Sequence, residues 1–337
     1  MPAGDRPAVK IARIFVGLAV GLVFAWATLI RTDLGSVAAA MGRAAVPGVI
    51  LGVIFAWLEV CVRAWRWQYL LSPLGRIGYR TSLAYTCIGY FANLMLPMRL
   101  GDVARGYLAA SALRLPRLAT LGSVVAERLA DGLAVLAMAL VLGLTVTGAW
   151  QIASTAVWIG AAILIAGAAA VVGIVVMNHA RLVDTRLSRT IRQPLTRLVS
   201  GANAVRTPAG IAVVLAATLV SYVCAVAALV AVSASVGLSL SLQEAALVMA
   251  WLALSTAIPA APGSVGTYEF VGVFVLVTVL GQDRNAALAA VVLLHVIGAL
   301  PSALVGLVMT WVLHVRVWRL DETIPAATAV PEVVLPD

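Results

Sequence analysis

Long apolar runs occupy most of this sequence, and their length limits the folds open to it. A helix needs about 20 apolar residues to cross the hydrocarbon core of a bilayer. Hydrophobic residues make up 63% of the chain and charged residues 11%, whereas about 25% of an ordinary soluble domain is charged. The sequence therefore predicts an all-α, polytopic membrane helix bundle. Six runs are candidate full spans: 14–30, 45–65, 118–147, 150–177, 209–236 and 286–314.

Two further apolar segments, 82–113 and 244–281, are broken in the middle. Each arm has about 12–16 residues, which is short of a full crossing. Broken backbone is tolerated in a membrane only inside protein or beside a wet cavity, so we expect two re-entrant helical hairpins. In an alternative arrangement, 244–259 and 264–281 both cross fully. The residues expected to form the turns are Pro97, Gly101, Pro259, Pro262, Gly263 and Gly266.

The basic residues indicate the topology. The net charge is +9, and an excess of Lys and Arg marks cytoplasmic loops. Most of the basic residues lie in five segments, which are 1–13, 63–81, 99–117, 178–208 and the region after 315. Both termini are therefore expected in the cytoplasm. Because these arginines fall between apolar runs, they do not indicate nucleic-acid binding. The expected organisation is a cytoplasmic N-terminus at 1–13, one transmembrane domain at 14–320 and a disordered tail at 321–337.

This topology predicts an inverted repeat. One unit consists of a span, a hairpin and a span at 45–65, 82–113 and 118–147, and the other at 209–236, 244–281 and 286–314. The two units would run in opposite directions through the membrane. Interrupted helices at matching places in two halves indicate the binding site of a transporter.

Charged residues inside the apolar segments are expected to need partners or a wet cavity, since a central charge costs at least about 2.5–3.5 kcal/mol. Glu127 and Asp131 share one helix face, whereas Arg128 points elsewhere. A second helix should therefore supply partners, and Asp102 with its neighbouring arginines is the obvious candidate. The cluster either clamps the bundle or lines a cavity for a lipid headgroup, and we favour the cavity.

The first turn carries residues suited to binding a phosphate. Asn93, Arg99 and Arg105 lie close together in sequence around it, and the fork of an arginine donates two parallel hydrogen bonds to phosphate. The restarting helix adds free N–H groups. We expect Asn93, Arg99, Arg105 and Arg128 to bind a headgroup, although Arg99 could instead extend to the cytoplasmic interface.

The roles of several other polar residues can be interpreted in more than one way. Glu269 follows the second turn and is either a proton-coupling acid or a locally bonded acid at a helix start. His295 lies in a predicted span, where a packing role is favoured over proton relay. Glu59 and Arg63, followed by Trp65-Arg66-Trp67, are interpreted as an interfacial belt. Asp102, Glu127, Asp131 and Glu269 are assigned to charge balance or proton coupling.

At these residues the chain resembles the lysylphosphatidylglycerol synthase transmembrane-region family, also called flippase-like. The motifs are Arg63-x-x-Arg66-Trp67, Asn93-x-x-x-Pro97-x-Arg99-x-Gly101-Asp102-x-x-Arg105, Glu127-Arg128-x-x-Asp131 and Pro259-x-x-Pro262-Gly263-x-x-Gly266-x-x-Glu269. The sequence has no counterpart of the cytoplasmic aminoacyl-transferase domain of fused members, so the resemblance implies lipid translocation at the inner membrane rather than lipid aminoacylation. The implied substrate is an anionic phospholipid, a polyprenyl-phosphate lipid or a hopanoid.

The leading functional hypothesis is a non-enzymatic inner-membrane lipid flippase that needs no cofactor or metal. No G-x-x-x-x-G-K-[ST] motif is present, so ATP is not the expected driver. One alternative is a membrane enzyme acting on a lipid phosphate, either a phosphatase or a glycosyltransferase. Another is a non-catalytic subunit that assembles with envelope-synthesis enzymes.

Overall fold

The computed structural model describes residues 7–30, 32–96, 100–145, 196–256 and 261–315. Within these ranges every regular element is helical, which confirms the all-α prediction. The predicted span 150–177, the tail 321–337, and Pro97, Arg99 and Pro259 lie outside them. The α-helices are α1 (Pro7–Leu29), α2 (Leu34–Gly42), α3 (Val46–Leu71), α4 (Tyr79–Met95), α5 (Leu100–Ala112), α6 (Arg117–Thr145), α7 (Pro208–Ser235), α8 (Leu242–Ser255), α9 (Thr267–Phe274) and α10 (Arg284–Val312).

Four helical segments are long and apolar enough to cross a membrane. They are Val46–Leu71, Pro208–Ser235, Pro262–Val279 and Arg284–Val312, and a fifth is present if the bent pair Gly17–Leu29 and Leu34–Gly42 counts as one span. Helix α6 has 29 residues, or about 43 Å at 1.5 Å per residue. The chain is therefore a multi-pass membrane protein.

Polar side chains fix where the helices of the second half begin. Thr207 accepts a hydrogen bond from the Gly210 N–H before α7, and Asp283 accepts one from the Ala286 N–H before α10. At α8 the side chains of Ser241 and Glu244 form a reciprocal capping box. Such caps satisfy N–H groups that a helix start leaves unpaired.

The first break separates α4 and α5, which pack against each other. The helices have 17 and 13 residues, so neither reaches the length of a full crossing. Gly101 lies in the first turn of α5, where an added Cβ would be 2.2 Å from the carbonyl oxygen of Gly89 on α4. Glycine therefore allows the two backbones to touch beside the break.

The second break lies between α8 and α9 and contains a short 3₁₀ turn, Pro262–Ser264. Gly263 and Gly266 have φ of +69° and +89°, which favour glycine because it lacks a Cβ. An added Cβ on Gly266 would be 2.1 Å from the carbonyl oxygen of Gly21 on α1. After the break, α9 continues as a π-helix, Val275–Val279.

The second break contacts the helix that precedes the first break. The 3₁₀ turn packs on α4, and a Cβ on Gly263 would lie 2.9 Å from Cδ2 of Leu94, next to the first break. The turn of the second break therefore packs on the end of α4 that precedes the first break.

The two halves repeat the same helix pattern. Leu100–Ala112 and Arg117–Thr145 in the first half correspond to Thr267–Val279 and Arg284–Val312 in the second, and every one of these boundaries is shifted by 167 residues. Arg114 and Gly281, also 167 apart, both have positive φ. The contacts are symmetric too, because α4 packs on α10 as α8 packs on α6.

The first helices of the two halves, α3 and α7, run antiparallel. At one end Gly48 lies against Ser235, and at the other the guanidinium of Arg66 bonds the hydroxyl of Thr218. Equivalent helices that run in opposite directions are what an inverted repeat requires.

Candidate functional site

Eight charged side chains from α3, α5 and α6 form one connected cluster, which we call the charge network. Among the described residues it contains four acids and four arginines, whose formal charges sum to zero. Its members are Glu59, Arg63, Arg66, Asp102, Arg105, Glu127, Arg128 and Asp131. Pairing of this kind is required because an isolated buried charge is very costly.

Arg66 and Glu127 form the buried centre of the charge network, and both side chains are 0% exposed. Arg66 Nη2 lies 3.0 Å from Glu127 Oε1, and Nη1 lies 2.6 Å from Asp131 Oδ1. Nη1 also donates to the hydroxyl of Thr218 at 2.6 Å. Arg66 therefore ties α3 to α6 and α7 at once.

Arg105 supplies the second cation for Glu127. Its Nη2 donates to Glu127 Oε2, and its guanidinium lies over the ring of Trp67, 4.7 Å from the centroid. The indole N–H of Trp67 donates to Ser123. Each oxygen of the Glu127 carboxylate is thus bonded by a different arginine, and α5 is joined to α3 and α6.

Arg63 joins Glu59 and Asp131 within the charge network. Its Nε lies 2.7 Å from Glu59 Oε1, one turn earlier on α3, and its Nη1 lies 3.0 Å from Asp131 Oδ2. The guanidinium also lies 5.7 Å from the ring centroid of Tyr222 on α7. Both oxygens of Asp131 are consequently used by α3.

Arg128 differs from the other three arginines. Its side chain is 34% exposed, against 12% for Arg63, 0% for Arg66 and 1% for Arg105. Its contacts with Asp102, Glu127 and Asp131 are all long, between 3.6 and 3.8 Å. Arg128 therefore stands at the open edge of the charge network, with acids that are mostly engaged by other groups.

Several buried nitrogen atoms of the charge network have no hydrogen-bond partner within the part of the chain that is described. They are Nε of Arg66, Nε and Nη1 of Arg105, and Nε of Arg128. Buried donors normally find an acceptor. The site thus has spare donors for water or for the oxygens of an anion.

The structure brings together most of the residues that the sequence analysis assigned to the site. Arg105, Arg128, Asp102, Glu127 and Asp131 all belong to the charge network, and the amide nitrogen of Asn93 lies 3.4 Å from Asp102 Oδ1. Arg99 lies outside the described residues.

The interpretation of Arg63 and Arg66 as an interfacial belt is wrong. Arg66 is buried and Arg63 is largely covered, and both pair with acids of α6, so they belong to the candidate site. The sequence does indicate that these residues could pair, because Arg63 and Arg66 share one face of a helix, and Glu127 and Asp131 share one face of another. The sequence alone does not show that these two faces pack together.

Glu269 takes part in a second polar site, which lies at the second break. Its Oε1 is 2.5 Å from Nδ1 of His295, and its Oε2 accepts the Gly266 N–H at 2.7 Å. The Nε2 of His295 lies 3.0 Å from the carbonyl oxygen of Gly263. The ring of Tyr268 packs against the imidazole, with 4.4 Å between centroids. Glu269 is therefore a helix-start acid that also has a titratable partner.

Comparison with known proteins gives one family. The model of the family described as lysylphosphatidylglycerol synthase TM region matches residues 14–306, which is most of the chain. No curated protein matches the sequence. Within the described ranges, no group of three or more His, Cys, Asp or Glu residues is arranged to hold a metal ion.

Proposed function

The chain belongs to the lysylphosphatidylglycerol synthase TM-region family, and from that membership we propose that it is a lipid flippase. It would move a lipid with an anionic headgroup between the leaflets of the inner membrane, with both termini in the cytoplasm. The family's name refers to lysylphosphatidylglycerol, a phospholipid with a phosphate in its headgroup, and helices interrupted at matching places in two halves are typical of a transporter's binding site.

One observation carries the proposal, namely the position of Arg128. It is the most exposed arginine of the charge network, and its ion pairs within the described part of the chain are all longer than 3.5 Å. A phosphate oxygen can therefore approach Arg128 without first displacing a short ion pair. The fork geometry of arginine matches phosphate.

The remaining residues have supporting roles. Arg105 and Asn93 lie on the two arms next to the first break, and the N-terminus of α5 carries a partial positive charge that favours an anion. Arg99 precedes that helix start in the sequence. Asp102, Glu127 and Asp131, together with Glu59, balance the charge of the four described arginines. The acyl chains would stay in lipid while the headgroup passes between the two breaks.

The test is a flipping assay in liposomes. Purified protein is reconstituted with a trace of headgroup-accessible fluorescent phosphatidylglycerol, and an impermeant quencher reports how fast the label changes leaflet. We expect Arg128→Gln to slow this exchange by about tenfold or more, equivalent to one charge-assisted hydrogen bond. Arg128→Lys, which keeps the charge but loses the fork, should lie between Gln and wild type.

Arg43→Gln is the matched control, because Arg43 is exposed beyond the end of α2 and outside the charge network. It should flip lipid at the wild-type rate. Equal rates for Arg128→Gln and Arg43→Gln in folded protein would contradict the role of Arg128. If wild type converts a lipid phosphate chemically and moves none, the protein is an enzyme instead. The absence of both activities would favour a non-catalytic subunit.

A further inference from the structure

We propose that Glu269 and His295 form a proton-binding site, and that the bound proton fastens the second break to α10. The proposal rests on the flippase function above and extends it, since it identifies the ion that would be coupled to lipid movement. The site lies outside the charge network.

The contacts of His295 require one proton more than a neutral imidazole and an ionised carboxylate hold between them. Its two ring nitrogens both face oxygen atoms, with Nδ1 at 2.5 Å from Glu269 Oε1 and Nε2 at 3.0 Å from the Gly263 carbonyl. A neutral imidazole carries one N–H and can donate to only one of them. Both contacts are hydrogen bonds only when a further proton resides on the ring or on the carboxyl group. The pair therefore shares one exchangeable proton.

This proton holds together a turn with special backbone geometry. Gly263 and Gly266, with φ of +69° and +89°, are bonded respectively to His295 and to Glu269. When the proton leaves to water, the remaining N–H stays on Nδ1, because the carboxylate of Glu269 is a stronger acceptor than a carbonyl group, and Nε2 then faces the Gly263 carbonyl without a hydrogen. The turn then loses its link to α10. Leu94, which packs against Gly263, connects that change to the first break.

The surrounding helices place few other charges near the pair. Tyr268 of α9 packs on the imidazole, and Glu59 of α3 lies within electrostatic range of Tyr268 but is paired with Arg63. Residues 17–29 of α1 contain no charged side chain. The other charged residues of the packed helices α4, α8 and α10 stand in their first turns and are Arg80, Glu244 and Arg284.

The repeat explains why only one half would respond to protons. Asp102 and Arg128 lie 26 residues apart, as do Glu269 and His295, and each residue of the second pair is 167 residues after its counterpart. In both halves an acid in the first turn after the break faces a base on the next helix. Arginine is always charged, whereas histidine changes its charge between about pH 5 and 8. The cation of the Asp102–Arg128 pair is therefore permanent, whereas the Glu269–His295 pair can gain or lose a proton.

Hydrogen exchange of residues 261–268 in the purified full-length protein tests the site without needing transport. After correction for the intrinsic rate, wild type should exchange at least about threefold more slowly at about pH 5.5 than at about pH 8, because the proton adds a hydrogen bond. His295→Gln should exchange fast at both pH values. His295→Arg, which copies the first half, should exchange slowly at both. His314→Gln, at an exposed helix end, should keep the wild-type difference.

The proposal is overturned if wild type shows no difference between the two pH values, or if His295→Gln keeps it. The same variants in the flipping assay separate this proposal from the transport function. If wild type keeps the pH-dependent protection but moves no lipid, the flippase proposal is contradicted and the proton-site proposal stands. If wild type moves lipid but shows no pH-dependent protection, the proton-site proposal is contradicted and the flippase proposal stands.

Discussion

Arg66 and Arg128 carry the same charge in the same network, and they differ in how completely that charge is compensated. Arg66 has three acceptors within 3.0 Å and no exposed surface. No acid among the described residues lies closer than 3.6 Å to Arg128, whose side chain is one-third exposed. A fully paired buried arginine holds helices together, whereas a loosely paired one at an open edge is available to a ligand. We therefore assign a structural role to Arg66 and a binding role to Arg128.

Arg66→Met tests the structural role. It removes the hydrogen bonds that join α3 to Glu127 and Asp131, and it leaves two buried acids with less compensation. Breaking a buried pair by removing one partner costs about 3–5 kcal/mol, so the variant should unfold at a clearly lower temperature in detergent. Arg43→Met, an exposed substitution, should unfold like wild type. Equal unfolding temperatures for the two variants would show that the network does not hold α3 to α6.

At the scale of the helices, the sequence predicted what depends on local chemistry and missed what depends on packing. Proline and glycine located both breaks, and apolar length located α3, α7 and α10. The partners of Arg63 and Arg66 were missed because the order of residues along α3 does not reveal which helix covers that face. Gly101 was assigned to a turn, whereas its close contact with Gly89 lies between two helices and leaves no mark in a single sequence.

Gly266→Ala tests the second break. The substitution places a Cβ at φ of +89° and 2.1 Å from the carbonyl oxygen of Gly21, so α1 must move. Left-handed strain costs about 1–2 kcal/mol and overpacking about 1–3 kcal/mol more. Gly237→Ala is the matched control, because its φ of +85° is similar but nothing lies within 4 Å of the added Cβ. Thermal unfolding should show a larger loss of stability for Gly266→Ala, and equal losses would mean that α1 does not pack tightly on the break.

At the scale of the whole molecule, the two halves have the same helix arrangement but carry different polar sites. The helix boundaries after each break are shifted by 167 residues, yet the charge network is built from α3, α5 and α6, and the Glu269–His295 pair from α9 and α10. The sequence predicted the repeat only from the order of apolar, turn and acidic residues. The common register becomes visible once the helix ends are known, because the residues at most equivalent positions differ.

The inverted repeat makes a prediction about sidedness. Ser111 and Thr278 are equivalent positions, since they lie 167 residues apart in the last turn of their segments, and both are exposed. If the repeat is inverted, these two positions face opposite sides of the membrane. In a background with Cys61, Cys87 and Cys224 replaced, Ser111→Cys should react with an impermeant maleimide only from the cytoplasmic side. Thr278→Cys should react only from the outer side, and labelling of both from one side would show that the halves are parallel.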